Sequence, residues 1–284
     1  MERIGIIGLG RMGAAMAQRF AAQGREVVGW TRSGRTVQGV PTAASIDEVV
    51  ARSDVMILSL YDDDAVAEVL DKLLTLDLSG RLIVETSTVV PDLLKDRIAH
   101  IEALGADAVD APISGGPEMV AEGRCGIFIG GRAEAAARAQ GVLDAISDRI
   151  FHVGPLGAGL VMKVVNNAMF QHYFNGLAEI LPLARKAGLT LETALGIVSG
   201  GPAGIPMVAD RLPRVLGEDD SVGFALTGVA KDNDVFRRVV QAHDLPTDKL
   251  DIFARHLDDA IAAGYGARDI AAFINYAYED IGRD

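Results

Sequence analysis

The chain has 284 residues, 49% of them apolar and 23% charged, an ordinary globular composition with length for one large domain or two modest ones. Its formal net charge of -12 sets up a field that repels a polyanion, which argues against nucleic acid as a partner. A single cysteine, Cys125, cannot make an internal disulfide and favours a reducing compartment.

The N-terminus lacks the long apolar core and small-residue cleavage site of a signal peptide. Short apolar runs then alternate with helical patterns to about residue 130, the signature of a parallel sheet with crossover helices. Strands are predicted at Ile4–Ile7, Glu26–Trp30, Val55–Leu60, Leu82–Thr86, Ala108–Ala111 and Ile127–Ile129. Several are continuous Val/Ile/Leu runs, as expected for strands covered on both faces. Helices are predicted at Ala65–Leu74, after Asp62-Asp63-Asp64, and at Leu93–Leu104, after Pro91-Asp92. Gly and Pro concentrate at residues 152–159 and strand patterns cease beyond, so the domain boundary is drawn there. One long helix follows from Leu160 to about Ala187, closed by Arg185-Lys186 and Gly188, with Pro182 predicting a kink or a pair of helices. It is apolar almost all round and should be buried between domains or subunits. It holds Lys163, Asn166, Asn167, Gln171, His172, Asn175 and Glu179, too many polar groups to cross a membrane, so the expectation is a cytoplasmic protein. Further helices are predicted near 190–199, 204–216, 225–242, 247–263 and 267–281.

The first strand runs directly into Gly8-Leu9-Gly10-Arg11-Met12-Gly13, followed by a good helix. In G-x-G-x-x-G the first glycine permits the turn, the second lets backbone N–H groups approach a pyrophosphate, and the third lets helix and strand pack closely. Such a motif alone is weak, but this one sits between strand and helix inside a repeated βα pattern. The fold class is therefore α/β, with an N-terminal doubly wound, Rossmann-type domain (1–159) and a C-terminal all-α domain (160–284) for substrate binding and dimerisation. An NAD-selective site carries an acid at the end of the second strand. This chain has Trp30-Thr31-Arg32-Ser33 instead: a planar cation for a 2′-phosphate, flanked by two hydroxyls. NADP is favoured as cofactor, with NAD possible.

Hydride transfer to a carbonyl needs a group that protonates the oxygen, and the reverse reaction needs a base at the same place. Lys163 is the candidate, because burial in its apolar helical stretch would disfavour its charge and bring its pKa toward working pH. Asn167 at i+4 and Phe170 at i+7 share its face.

Three ordered segments, Gly8–Gly13, Asp110-Ala111-Pro112-Ile113-Ser114-Gly115-Gly116 and Lys163-Val164-Val165-Asn166-Asn167, resemble the β-hydroxyacid dehydrogenase family. That family includes the 3-hydroxyisobutyrate dehydrogenases and the glyoxylate/succinic semialdehyde reductases. The likeness spans most of the chain, with Glu85-Thr86-Ser87-Thr88 and Lys231-Asp232 also falling in place. It implies that Ser114, Gly115 and Gly116 hold a substrate carboxylate, and a hydroxyl beside two backbone N–H groups suits an anion. It implies too that Lys163 exchanges the proton and that Asn167 and Asp232 line the substrate. On the cofactor side it places Leu60, Tyr61, Thr88 and Lys231. The chain departs from the family's usual pattern at Glu85, where Asp is common, and at Leu58–Asp62, which replaces a commoner Leu-Pro turn.

The leading expectation is an NADP-dependent oxidoreductase acting on a small carboxylate-bearing semialdehyde or 3-hydroxy acid of 3-hydroxyisobutyrate, glyoxylate or succinic semialdehyde type. An imine reductase has a similar fold and Arg-bearing loop but usually another residue where Lys163 stands. 6-Phosphogluconate dehydrogenase is disfavoured because Asn166-Asn167-Ala168 replaces His-Asn-Gly. A cofactor-binding module without catalysis is disfavoured by the presence of Lys163, Asn167 and Ser114 together. Phe224 and Tyr265 are more core than pocket, and His172 reads as a packed polar residue, with no metal-ligand spacing in the chain. An exposed apolar helical surface should associate, so a homodimer or homotetramer through the helical domain is expected.

Overall fold

In the computed structural model, which describes residues 1–279, the chain divides into two compact units, Met1–Val165 and Asn166 onward. In the first, strands and helices alternate: β1 (Ile4–Ile7), α1 (Arg11–Ala22), β2 (Val27–Trp30), α2 (Ile46–Arg52), β3 (Val55–Leu58), α3 (Asp63–Leu73), β4 (Leu82–Glu85), α4 (Asp92–Lys95), α5 (Ile98–Ala103), β5 (Asp107–Asp110), β6 (Ile113–Ser114), α6 (Pro117–Glu122), β7 (Gly126–Gly130), α7 (Ala133–Leu143) and β8 (Arg149–Gly154). The sheet order is β2-β1-β3-β4-β5-β7-β6, with β8 on β7. Strands β2 to β5 are parallel, and β7 runs antiparallel to β5. A lone parallel bridge from Gly29 to Thr42 extends the outer edge of β2, where a full strand would complete the six-stranded dinucleotide-binding order.

Alternation along each strand explains the two helical layers. Ile4 and Ile6 of β1, Val55 and Ile57 of β3, and Leu82 and Val84 of β4 pack with Met16, Ala17 and Phe20 of α1 and the buried face of α7. Their neighbours Ile7, Met56, Leu58 and Ile83 pack with Val49 of α2 and Val66, Val69 and Leu70 of α3. Both faces are buried, so these strands are apolar throughout rather than alternating.

Three expectations are corrected. The helix predicted over Leu93–Leu104 is two short ones: the Arg97 guanidinium takes the Leu93 carbonyl, and the Arg97 N–H donates to Leu94 instead. A strand that the sequence did not predict, β8, reaches into the Gly- and Pro-rich segment, because His152–Gly154 belong to it. That strand sits at the sheet edge and is largely exposed, so it lacks the apolar run that reveals its neighbours. Pro182 lies inside a single helix, α8 (Ala158–Lys186), close enough to its end that only the last turns are affected.

The helix α8 runs from the first unit into the second, where α9 (Leu191–Gly200), α10 (Pro206–Val215), α11 (Leu226–Gln241), α12 (Asp248–Ala260) and α13 (Ala271–Glu279) follow. The last two residues of the helix predicted at 267–281 lie outside the described residues. Phe174, Phe253 and Phe273 are fully buried at the centre of this unit, the last two edge to face at 5.4 Å. Phe224 and Tyr265 pack against the same cluster. Asp269, buried, accepts from the N–H groups of Gly223, Phe224 and Ala271 and pairs with Arg211 and Arg214, which ties the α10–α11 connection to α13.

Candidate active site

The sheet order reverses between β2-β1 and β3, and at such a switch point the loops leaving neighbouring strands part to form a crevice at their carboxyl ends. Gly8 to Gly13 occupy that place. Gly8 has φ +106°, and a Cβ on it would lie 2.2 Å from the Ser59 carbonyl oxygen; one on Gly13 would lie 1.8 Å from the Gly8 carbonyl oxygen. Backbone touches backbone at both positions, so only glycine fits. Gly10 differs: its missing side chain faces open space. The N-terminus of α1 has no side-chain cap and no acid in its first turn, so the N–H groups of residues 11–13 have no intrahelical acceptor. An uncapped, acid-free helix start beside open space fits a dinucleotide pyrophosphate. Arg11 is exposed there and Met12 half-buried, while Leu9 is buried in the core and offers the crevice only its backbone.

Thr31, Arg32 and Ser33 follow β2 at the surface. Arg32 is paired with Glu68 of α3 at 2.5 Å, and both side chains are about two-thirds exposed. On the β3 side, the Leu60 N–H donates to Ser87 Oγ at 2.8 Å, and Thr86 Oγ1 donates to the Leu58 carbonyl at 2.6 Å. The Glu85–Thr88 segment is thus laced to the Leu58–Tyr61 turn, with Thr88 buried and Tyr61 exposed.

Lys163, on the second turn of α8, is 8% exposed, and its Nζ donates to the Ile113 carbonyl at 2.6 Å. Ser114, Gly115 and Gly116 follow immediately, Ser114 half-buried and Gly115 at φ +131°. The structure therefore brings Lys163 to Ile113, the residue before Ser114, from fifty residues away in sequence. Within the second unit, Asn167 is buried and accepts from the Asn166 side-chain amide at 2.9 Å. There also, Lys231 pairs with the buried Asp232 at 2.7 Å.

Two residues escaped the sequence reading. Glu68 has no motif around it. Asp110 stood inside a quoted segment without a role, yet it is fully buried and accepts from the N–H groups of Gly157 at 2.6 Å and Leu160 at 2.7 Å. Burial pushes its pKa up to about 6 against the opposing effect of those donors and of Lys95. A signal was present: residues 154–158 supply no Ser, Thr, Asp or Asn to cap α8, so the cap had to come from elsewhere. No group of three or more His, Cys, Asp or Glu side chains that could hold a metal occurs among the described residues, and no described helix is long and apolar enough to cross a membrane.

A Rossmann-type fold with a fitting glycine-lined crevice defines a dinucleotide-binding domain. Residues 3–154 match the family profile for the NAD-binding domain of 6-phosphogluconate dehydrogenase, and residues 157–277 match that for the NAD-binding region of NADP-dependent 3-hydroxyisobutyrate dehydrogenase. The NAD-dependent L-serine dehydrogenase of Pseudomonas aeruginosa is 31% identical, over 95% of this chain and 96% of its own. The 2-(hydroxymethyl)glutarate dehydrogenase of Eubacterium barkeri is 30% identical, over 96% and 93%. The solved structure of Mycobacterium tuberculosis 3-hydroxyisobutyrate dehydrogenase with L-serine superposes with a TM-score of 0.86 at 26% identity, covering 97% of this chain and 98% of that one. The chain belongs to the β-hydroxyacid dehydrogenase family, NAD(P)-dependent oxidoreductases acting on CH–OH groups. Imine reductases share the fold at a TM-score of 0.65 and 21% identity.

Proposed function

We propose that the protein interconverts a small 3-hydroxy acid and its semialdehyde, preferring NADP, with Lys163 as proton donor and acceptor. The observation that carries this reading is the buried Lys163 ammonium held at 2.6 Å from the Ile113 carbonyl, one residue from the Ser114 hydroxyl. A substrate whose carboxylate lies on Ser114, Gly115 and Gly116 has its next carbons within reach of that ammonium. Lys163 can then protonate the oxygen as it gains charge, or take the proton in the oxidative direction. In the second unit, Asn167 and Asp232 are proposed for the substrate and Lys231 for the cofactor. When bound, the nicotinamide supplies or accepts the hydride; Gly8–Gly13, Leu60, Tyr61 and Thr88 are the residues to hold the dinucleotide.

The substrates named for the three relatives, L-serine, 2-(hydroxymethyl)glutarate and 3-hydroxyisobutyrate, share a primary alcohol β to a carboxylate. That shared unit is the substrate class proposed here. It matches a site with one anion cradle and one proton-transfer group a short distance away. Preference for NADP is supported by Arg32 between Thr31 and Ser33, without a carboxylate among them. The Arg32–Glu68 pair is exposed and is worth about 0–1 kcal/mol, so a 2′-phosphate can displace it. Self-association through α8 is supported by Val165, Met169, Ile180 and Leu183, exposed apolar side chains at spacings that place them on one side of that helix.

The decisive experiment assays 3-hydroxyisobutyrate, L-serine, glyoxylate and succinic semialdehyde with both cofactors, for wild type and Lys163→Ala. Loss of turnover of about 100- to 10,000-fold, with NADPH Kd nearly retained, is expected for the variant. Equal turnover in the two proteins would sink the role given to Lys163.

A further inference from the structure

The site has two halves: Ile113–Gly116, on the segment after β5, and Lys163, on α8. Proton transfer between Lys163 and a substrate held on Ser114–Gly116 depends on the spacing of the two halves, and reaction rates fall steeply when reacting groups are misplaced by even 1 Å. Something must hold α8 in register with β5. No residue of the turn leading into α8 does so through a capping side chain, because residues 154–158 are Gly-Pro-Leu-Gly-Ala.

We infer that Asp110 is the positioning residue of this site, a buried carboxylate at the end of β5 that clamps the start of α8 and thereby fixes Lys163 against Ile113–Gly116. Its two oxygens divide between the Gly157 and Leu160 N–H groups, at 2.6 and 2.7 Å. Leu160 is three residues, less than one helical turn, before Lys163, and Asp110 is three residues before Ile113, whose carbonyl receives the Lys163 ammonium. A closed ring results. It runs from the Asp110 carboxylate through the first turn of α8 to Lys163, across to the Ile113 carbonyl, and back along Pro112 and Ala111.

The packing around the carboxylate shows that the clamp is built rather than incidental. A Cβ on Gly159 would lie 2.2 Å from the Phe128 carbonyl oxygen and 2.8 Å from Asp110 Oδ2. One on Gly130 would lie 2.3 Å from Asp110 Oδ1. Side chains are therefore absent on both flanks where the helix start meets the sheet, and Gly130 and Gly159 provide the close approach that lets the carboxylate reach. The negative charge also faces the positive end of the α8 dipole, and Lys95 is the nearby cation. A carboxylate kept in so dry a place carries a desolvation cost, and the register of Lys163 is what that cost sustains.

This inference rests on the proposed role of Lys163, and its test separates the two. Asp110→Asn keeps the shape but turns an amide donor toward a backbone N–H. In the full-length protein we expect kcat to fall about 100-fold, with NADPH Kd within about threefold of wild type. Introduced into Lys163→Ala, the same change should cost less than about threefold, because both substitutions act through one ammonium. Wild-type kcat in folded Asp110→Asn protein overturns the inference, and so does an equal loss in both backgrounds. Should the variant not fold, amide hydrogen exchange of the wild type decides: the Gly157 and Leu160 amides should be among the slowest of the first unit, and exchange at loop rates overturns the clamp. If Lys163→Ala retains full turnover, the role of Lys163 fails, whereas the exchange measurement still reports on Asp110.

Discussion

Asp110 and Arg32 illustrate two ways in which a single charge is governed by its surroundings. The Asp110 carboxyl, pushed by burial to about 6, binds its proton more tightly in the folded chain than in the unfolded one, where it titrates near 3.8. Between those values the folded state holds the extra proton, so stability falls as pH rises from about 4 to 6 and levels off above. Relative to Asp110→Asn, wild type should lose about 3 kcal/mol of unfolding free energy across that window in urea titrations. A flat difference would show that the carboxyl titrates normally. Arg32 is the opposite case, exposed and paired at the surface with Glu68. Arg32→Asp should lower the NADPH/NADH ratio of kcat/KM about 10- to 100-fold, the worth of a charge-assisted contact. Glu68→Gln, which removes the competing carboxylate, should raise that ratio about threefold. An unchanged ratio in Arg32→Asp would place phosphate recognition elsewhere.

Some helices of this chain begin at a side-chain cap that the sequence announces, and others begin without one. Asp62 caps α3 by accepting from the Ala65 N–H at 2.9 Å, and the acidic run Asp62-Asp63-Asp64 announced that start in sequence. Asp62→Ala should cost about 1 kcal/mol in chemical denaturation, with the m-value unchanged. Asp63, whose side chain accepts from the Val90 N–H, should contribute separately. The region from Asp92 to Ala103 reads as one helix because its apolar period is unbroken, yet the Arg97 guanidinium draws the Leu93 carbonyl away and splits it. Helix α1 is the reverse: its start is left uncapped, and that vacancy in the hydrogen-bond ladder is the feature that suits it to a phosphate.

At the scale of the molecule, an acidic chain carries an exposed apolar stripe on its longest helix, the surface on which the proposed self-association rests. Sedimentation or light scattering at micromolar concentration should report at least a dimer, and Met169→Glu with Leu183→Glu should shift it toward monomer. A wild-type monomer mass would overturn self-association.

The parallel sheet, its covered strands and the glycine crevice were legible in the sequence because each rests on local pattern: apolar runs of strand length, helical periodicity, and three glycines at fixed spacing. The long helix was legible for the same reason. Which carbonyl meets the Lys163 ammonium, which carboxylate caps α8 and which acid faces Arg32 join residues from about 35 to 50 positions apart. Those pairings were settled only when the strands took their order in the sheet, because a hydrogen bond between distant residues leaves no period or spacing in the chain that makes it.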